Sequence, residues 1–183
     1  SITEVQNFLD NETTLIEFFE GKKHVYAFSI TKEQSEVFKL PKAASYKLEV
    51  YDFLRGLTSI KQFMNDKITL YNQFSKTAHS LYKDLVERAI TSTTKRLIIV
   101  PDGIFSYLPF DVLLTSPAQS IDQDEQQVHF SPLPFLIKDY SINYNYSATL
   151  LISMKKEQQQ ATNHNILALA PHYETTTTPD WRG

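Results

Sequence analysis

The 183-residue chain contains no cysteine and only four glycines. Without a thiol, disulfides, zinc–thiolate sites, iron–sulfur clusters and a cysteine nucleophile are all excluded for this chain. Gly21, Gly56, Gly103 and Gly183 stand far apart, so no glycine-rich loop forms that could cradle a phosphate. Charge of one sign is not in excess: 18 Lys and Arg stand against 21 Asp and Glu, a formal net charge of −3. A broad polyanion-binding surface needs a basic excess, so nucleic acid is not an expected partner. No apolar run approaches the roughly 18 residues of a membrane span. No basic-then-apolar stretch opens the chain in the manner of a signal peptide. The expectation is a cytoplasmic chain without a membrane partner.

What is present is globular. Hydrophobic residues make up 42% and aromatics 13% of the chain, a composition that supports a packed core. A chain of this length buries roughly 70% of its unfolded surface, so the core needs no covalent staples. Ser1 with Glu4 predicts a capping box on a short helix from Ile2 to Leu9. Thr13–Phe19, His24–Ile30 and Glu36–Leu40 predict a three-stranded antiparallel meander, turned at Gly21 and ended by Pro41. In the second run Tyr26, Phe28 and Ile30 share one face, and Val25, Ala27 and Ser29 the other. Tyr46, Val50, Phe53, Leu57, Ile60 and Met64 then recur at helical steps, predicting about five turns. Asn65-Asp66 breaks and caps. Leu70, Phe74, Ala78, Leu81 and Leu85 predict a second helix ending near Ile90, antiparallel to the first.

Arg96–Val100 is a continuous apolar run, the pattern of a strand buried on both faces. Pro101, Asp102 and Gly103 end it in a tight turn, with the Asp102 side chain fixing the turn and Gly103 at positive φ. Pro109 restricts the backbone and Phe110 buries a ring, both structural roles. The polar stretch Thr115–Ser131 reads as a mobile surface loop. Pro134–Ile137 and Tyr140–Tyr146 read as extended. Ser147 reads as the N-cap of a helix running to about Gln158. Asn165–Ala170 is a further apolar strand pattern, and the threonine-rich residues after Pro171 read as low-complexity.

Motifs with chemistry are few, and each has a simpler structural reading. Ser153 and Lys156 match S-x-x-K, but the companion segments of that enzyme class are absent, which favours a solvated helix face. His24, His79, His129, His164 and His172 do not pair at metal-ligand spacing, so packing or surface roles are simpler. His172, in a loop after a strand, is the best placed of them for function. Asp122, Asp124 and Glu125 lack the glycine turn and added ligands of a calcium loop. Tyr140, Tyr144 and Tyr146 share a face, but no basic groove accompanies them for base stacking. No catalytic, metal-binding or cofactor-binding residue is assigned.

The order of elements and words from about Thr14 onward resembles the CHAT domain family, which is caspase-like and often found behind tetratricopeptide repeats. The resemblance rests on LIIVPDGIFSYLPFDVLL (Leu97–Leu114), FLIKDYSINYNYSATLL (Phe135–Leu151), the LIEFFEG…HVYAFSI hairpin and the HSLYKDL helix segment. Proteolytic members resemble caspases in using a His-Gly motif and a later cysteine. Here no His precedes a Gly and no Cys exists.

The resemblance therefore implies an α/β fold: a β-meander and a long helix pair leading into the first strands of an incomplete caspase-like sheet. Residues 1–170 would be the N-terminal portion of such a domain, and 171–183 a disordered tail or a truncated continuation. Gly183 would be a cut boundary rather than a natural C-terminus. The function implied is a scaffold or regulatory portion of a cysteine-peptidase-like domain, itself without the dyad. The alternative is a non-catalytic interaction module in bacterial signalling or defence. Partners would be proteins or peptides, including an upstream tetratricopeptide-repeat region. Self-association is also expected, through Arg96–Val100 or Asn165–Ala170 as a strand that has lost its neighbour.

Overall fold

The computed structural model describes residues 1–40, 43–58, 66–121 and 128–160. It shows an α/β fold. Among the described residues five strands form one mixed sheet: β1 (Thr13–Glu20), β2 (Val25–Ile30), β3 (Ser35–Leu40), β4 (Arg96–Val100) and β5 (Ser141–Tyr144). Their order is β3-β2-β1-β4-β5. The meander pairs antiparallel as the alternation predicts, with Leu15 opposite Ile30 and Phe28 opposite Val37. β4 then runs parallel to β1, with Leu15 opposite Ile98, and β5 runs parallel to β4. The meander and the later strand thus belong to one sheet.

This arrangement removes one of the two strands expected to lack a neighbour. Arg96–Val100 has neighbours on both sides, and the sheet's outer strands among the described residues are β3 and β5. Asn165–Ala170 and the threonine-rich tail lie outside the described residues.

One sheet face carries the main core. Ile16 and Phe18 of β1, Val25 and Ala27 of β2, and Leu97 and Ile99 of β4 pack under two helices. These are α2 (Ala43–Thr58) and α3 (Lys67–Tyr82). Asp66 caps α3 by accepting the Thr69 N–H at 3.0 Å. Beyond Tyr82 the helix widens into a π turn, Lys83–Glu87, which keeps Leu85 and Val86 buried. The expected helix from Tyr46 is described only to Thr58, and its continuation to Met64 lies outside the described residues.

The other face is covered over part of its area by α1 (Ile2–Phe8) and α5 (Ala148–Gln160), which meet Leu15, Ile30, Ile98 and Val100. Ser1 and Glu4 form the capping box on α1. Between β4 and β5 run two 3-10 turns, Gly103–Tyr107 and Phe110–Val112, and one helical turn, α4 (Leu136–Asp139). The expected extension of Pro134–Ile137 is therefore interrupted. Phe135 makes one bridge to Leu114, and the chain then coils so that Leu136 enters the core. The described parts of Thr115–Ser131 are not free surface loop either: Ala118, Ile121, Val128 and Phe130 pack against the core, while 122–127 lie outside the described residues. Among the described residues no helix is long and apolar enough to cross a membrane.

Candidate functional site

The parallel strands β1, β4 and β5 end at one edge of the sheet, where open α/β sheets place their sites. Asp102 and Gly103 follow β4 there, and Phe110 meets Tyr144 at the end of β5. Asp102 accepts the Glu20 N–H at 2.8 Å and the Gly103 N–H at 2.9 Å. Glu20 in turn accepts the Ile104 N–H at 3.2 Å and pairs with Lys47 at 2.8 Å. Lys47, and then the Ile104 N–H, hold the Glu20 carboxyl below its ordinary range against the opposing effect of burial. Gly103 has φ +57°. Both carboxylates are spent on backbone donors and one lysine, so the cluster fastens β1 to the end of β4.

Pro109 precedes the second 3-10 turn, and the fully buried Phe110 ring lies 5.5 Å from that of Phe18. The Phe110 N–H donates to the Tyr144 hydroxyl at 2.9 Å, and that hydroxyl donates to Asp111. Burial first, then Asp111, pushes the Tyr144 hydroxyl well above the ordinary phenol range. Tyr144 is thus braced, whereas Tyr146 is 92% exposed and the three tyrosines do not act as one surface. Ser147 accepts the Leu150 N–H at 3.0 Å and caps α5. Ser153 is exposed on α5. His164 and His172 lie outside the described residues, as do Asp122, Asp124 and Glu125. Among the described residues no group of three His, Asp or Glu side chains could hold a metal ion.

Two surfaces are less readily accounted for by packing. The first is the part of the sheet face that α1 and α5 leave open. Cross-strand rows place Val37, Phe28 and Glu17 side by side, and Lys39, Tyr26 and Phe19 beside them. Phe19 is 55% and Val37 58% exposed, with Phe28 and Tyr26 half-buried. The aromatic side of β2 is therefore its less covered side, while Val25, Ala27 and Ser29 take the core. A groove of about 380 Å³ between α1 and α5 opens onto Phe28 and Glu17.

The second is a cleft of about 590 Å³ between α3 and the segment Pro117–Ser120. Thr69, Asn72, Ser75, Lys76 and His79 line its helical wall. Sequence reasoning missed all of these but His79, because polar residues at such steps on an amphipathic helix read as its solvated face. The signal that could have drawn attention is Ser75, a polar residue beside the apolar row that includes Phe74 and Ala78.

A comparison with protein-family models finds no match, and a comparison with curated proteins finds none either.

Proposed function

We propose that this chain is a non-catalytic scaffold, the N-terminal portion of a CHAT-like domain, and that it docks a neighbouring layer of its parent polypeptide on the open sheet face. The uncovered row of Phe19, Tyr26, Phe28 and Val37 carries this reading. An antiparallel half-sheet can face water on one side, but its open side should then alternate to polar residues. Here it is largely aromatic and aliphatic. Isolated apolar side chains on a surface are ordinary, whereas a contiguous patch rimmed by charge marks an interaction site. Glu17 and Lys39 supply such a rim. An occupant with an apolar face and a few flanking charges fits. The chain itself brings no thiolate for a peptidase step.

The test is a photo-crosslinking residue at position 19 in the full parent protein. Crosslinks to another part of the same polypeptide support the scaffold reading. Crosslinks confined to a separate protein overturn it in favour of the interaction module. No crosslink at all, with position 19 open to solvent, removes the docking face from both readings.

A further inference from the structure

Strand register fixes how the charged corners of the open sheet face stand to one another. Glu17 and Phe19 of β1, Phe28 and Tyr26 of β2, and Val37 and Lys39 of β3 pair across the strands into two rows of three. Glu17 ends one row and Lys39 the other, at diagonally opposite corners. Neighbouring strands stand about 4.8 Å apart and alternate residues about 6.8 Å apart, so the two Cα positions are roughly 12 Å apart. Lys39 is exposed and Glu17 half-buried. Neither belongs to an ion pair among the described residues.

This arrangement is self-complementary. When two copies of one surface meet about a two-fold axis, a group away from the axis faces a different group of the other copy, and a group on the axis faces itself. Consider an axis in the plane of the face, over β2 between Tyr26 and Phe28, at right angles to the Glu17–Lys39 diagonal. It sets Glu17 of each copy over Lys39 of the other, so both charges are matched twice. Phe19 and Val37, at the uncharged corners, fall close to the axis and meet their own counterparts. The strands of the two sheets then cross at roughly 70°, near the orthogonal class of sheet packing. Packed sheets stand about 10 Å apart, a gap that a glutamate and a lysine side chain bridge together. α1 and α5 stand over the neighbouring rows, toward Leu15 and β4, which leaves the β3 side open to a second sheet.

We propose that this face pairs with the same face of a second copy of the chain, through two Glu17–Lys39 contacts around an apolar centre. A docked layer of unrelated chemistry needs no diagonal charge match, whereas a two-fold pair does. The inference rests on the reading of this face as a docking surface and adds an occupant to it. A second copy and a docked layer exclude one another, so the pairing belongs to chains whose face is free, and a docked layer breaks it. The patch is small beside the roughly 800 Å² per partner of a standard interface, so the pair is weak and transient.

The experiment is sedimentation equilibrium of the chain between about 10 μM and 1 mM, a span that covers weak interfaces. A monomer–dimer equilibrium that weakens as salt is raised from about 0.05 M to 0.5 M supports the proposal. Glu17→Lys and Lys39→Glu should each weaken the dimer at least tenfold, since each sets like charges together. An equimolar mixture of the two variants should regain the wild-type association, because both corner contacts are again opposite in sign. A dimer that neither variant weakens lies on another surface and overturns the proposal. So does a mixture that fails to recover, which shows that the two charges do not meet. Should either variant fail to fold, the salt series on the wild type decides: association that salt leaves unchanged overturns the charge pairing. A chain that stays monomeric throughout overturns self-pairing and leaves the scaffold reading standing, since that reading is decided by crosslinks from position 19 within the longer polypeptide.

Discussion

Asp102 and Glu20 brace each other through the backbone: Asp102 accepts the Glu20 N–H at 2.8 Å, while Glu20 accepts the N–H of Ile104, two residues past Asp102, at 3.2 Å. The pair locks the end of β1 to the turn after β4, although the two residues are 82 positions apart in the chain. Parallel pairing of β1 with β4 requires a long crossover, here the meander and both long helices, and closing that loop costs chain entropy. A reciprocal brace at its far end recovers part of that cost.

Gly103 makes this brace possible. Its φ of +57° disfavours any side chain, and an added Cβ would sit 1.9 Å from a Glu20 carboxylate oxygen. Gly103→Ala should therefore cost about 1–3 kcal/mol, from backbone strain and the displaced Glu20. A urea denaturation curve checks it, and an unchanged midpoint would show that the turn carries no such constraint.

Acid should loosen the opposite edge of the sheet. Asp10 accepts the Thr13 hydroxyl at 2.7 Å and pairs with Arg96 at 2.8 Å. The Thr13 bond first, and Arg96 with it, bring the Asp10 carboxyl down to about 2. Glu12 is lowered as well, first by Lys95 and then by Arg96. A carboxylate depressed in the fold contributes stability above its ordinary pKa near 4, and loses it as pH falls through the folded value. The denaturation midpoint should thus fall between about pH 4 and pH 2. Asp10→Asn should lower the midpoint at pH 6 and flatten that fall. These groups are largely exposed, so the effect is modest and should shrink in 1 M salt. Identical profiles for the wild type and the variant would remove the pair's role.

Much of this fold is legible in the chain because local rules decide it. Ser1 with Glu4, Asp66 and Ser147 read as caps and are caps. The two-residue alternation around Tyr26 and Phe28 reads as a strand and is one. Pro-Asp-Gly reads as a turn with a positive-φ glycine, and Gly103 has that conformation. What alternation cannot tell is which face the rest of the protein covers. Two apolar faces of β2 look alike in sequence, and only the placement of α2 and α3 shows that Val25 and Ala27 are inside. The pairing of β1 with β4 is equally silent, since 83 positions separate Thr13 from its partner Arg96 and no local preference links them. The cleft at Ser75 depends on a loop pinned back to a helix by Asn72, a contact 49 residues apart in the chain.

Glu49 should behave oppositely to Asp10. Burial first, then the neighbouring charge of Asp84, push its carboxyl above the ordinary range, with only a Ser80 bond opposing. Asp84 already accepts the Tyr46 hydroxyl at 3.3 Å. A raised carboxyl is disfavoured when ionised, so its contribution is present at low pH and lost as pH climbs through the folded value. Glu49→Gln keeps the site neutral and should raise the denaturation midpoint at pH 7, with little gain at pH 4. A lower midpoint at pH 7 would mean that ionised Glu49 is favourable where it sits.

The contrast between Phe105 and Phe19 tests the division between core and docking face. Phe105 is fully buried, its ring 5.1 Å from Phe18 and 5.6 Å from Tyr46, so it joins the sheet to α2. Removing it leaves a cavity that the surrounding rings cannot close, and Phe105→Ala should cost about 3–5 kcal/mol. Phe19 belongs to the same kind of residue and a neighbouring strand position, but more than half of it meets solvent. Phe19→Ser should change stability by less than about 1 kcal/mol, because little apolar area returns to water. If, as proposed, a further layer of a longer polypeptide docks on the open face, the same substitution there should loosen its attachment, read as faster amide exchange in β2 and β3 relative to the wild type. A Phe19→Ser variant as unstable as Phe105→Ala would place Phe19 in the core. One with wild-type stability and unchanged exchange in the longer polypeptide would leave the aromatic row as bare surface.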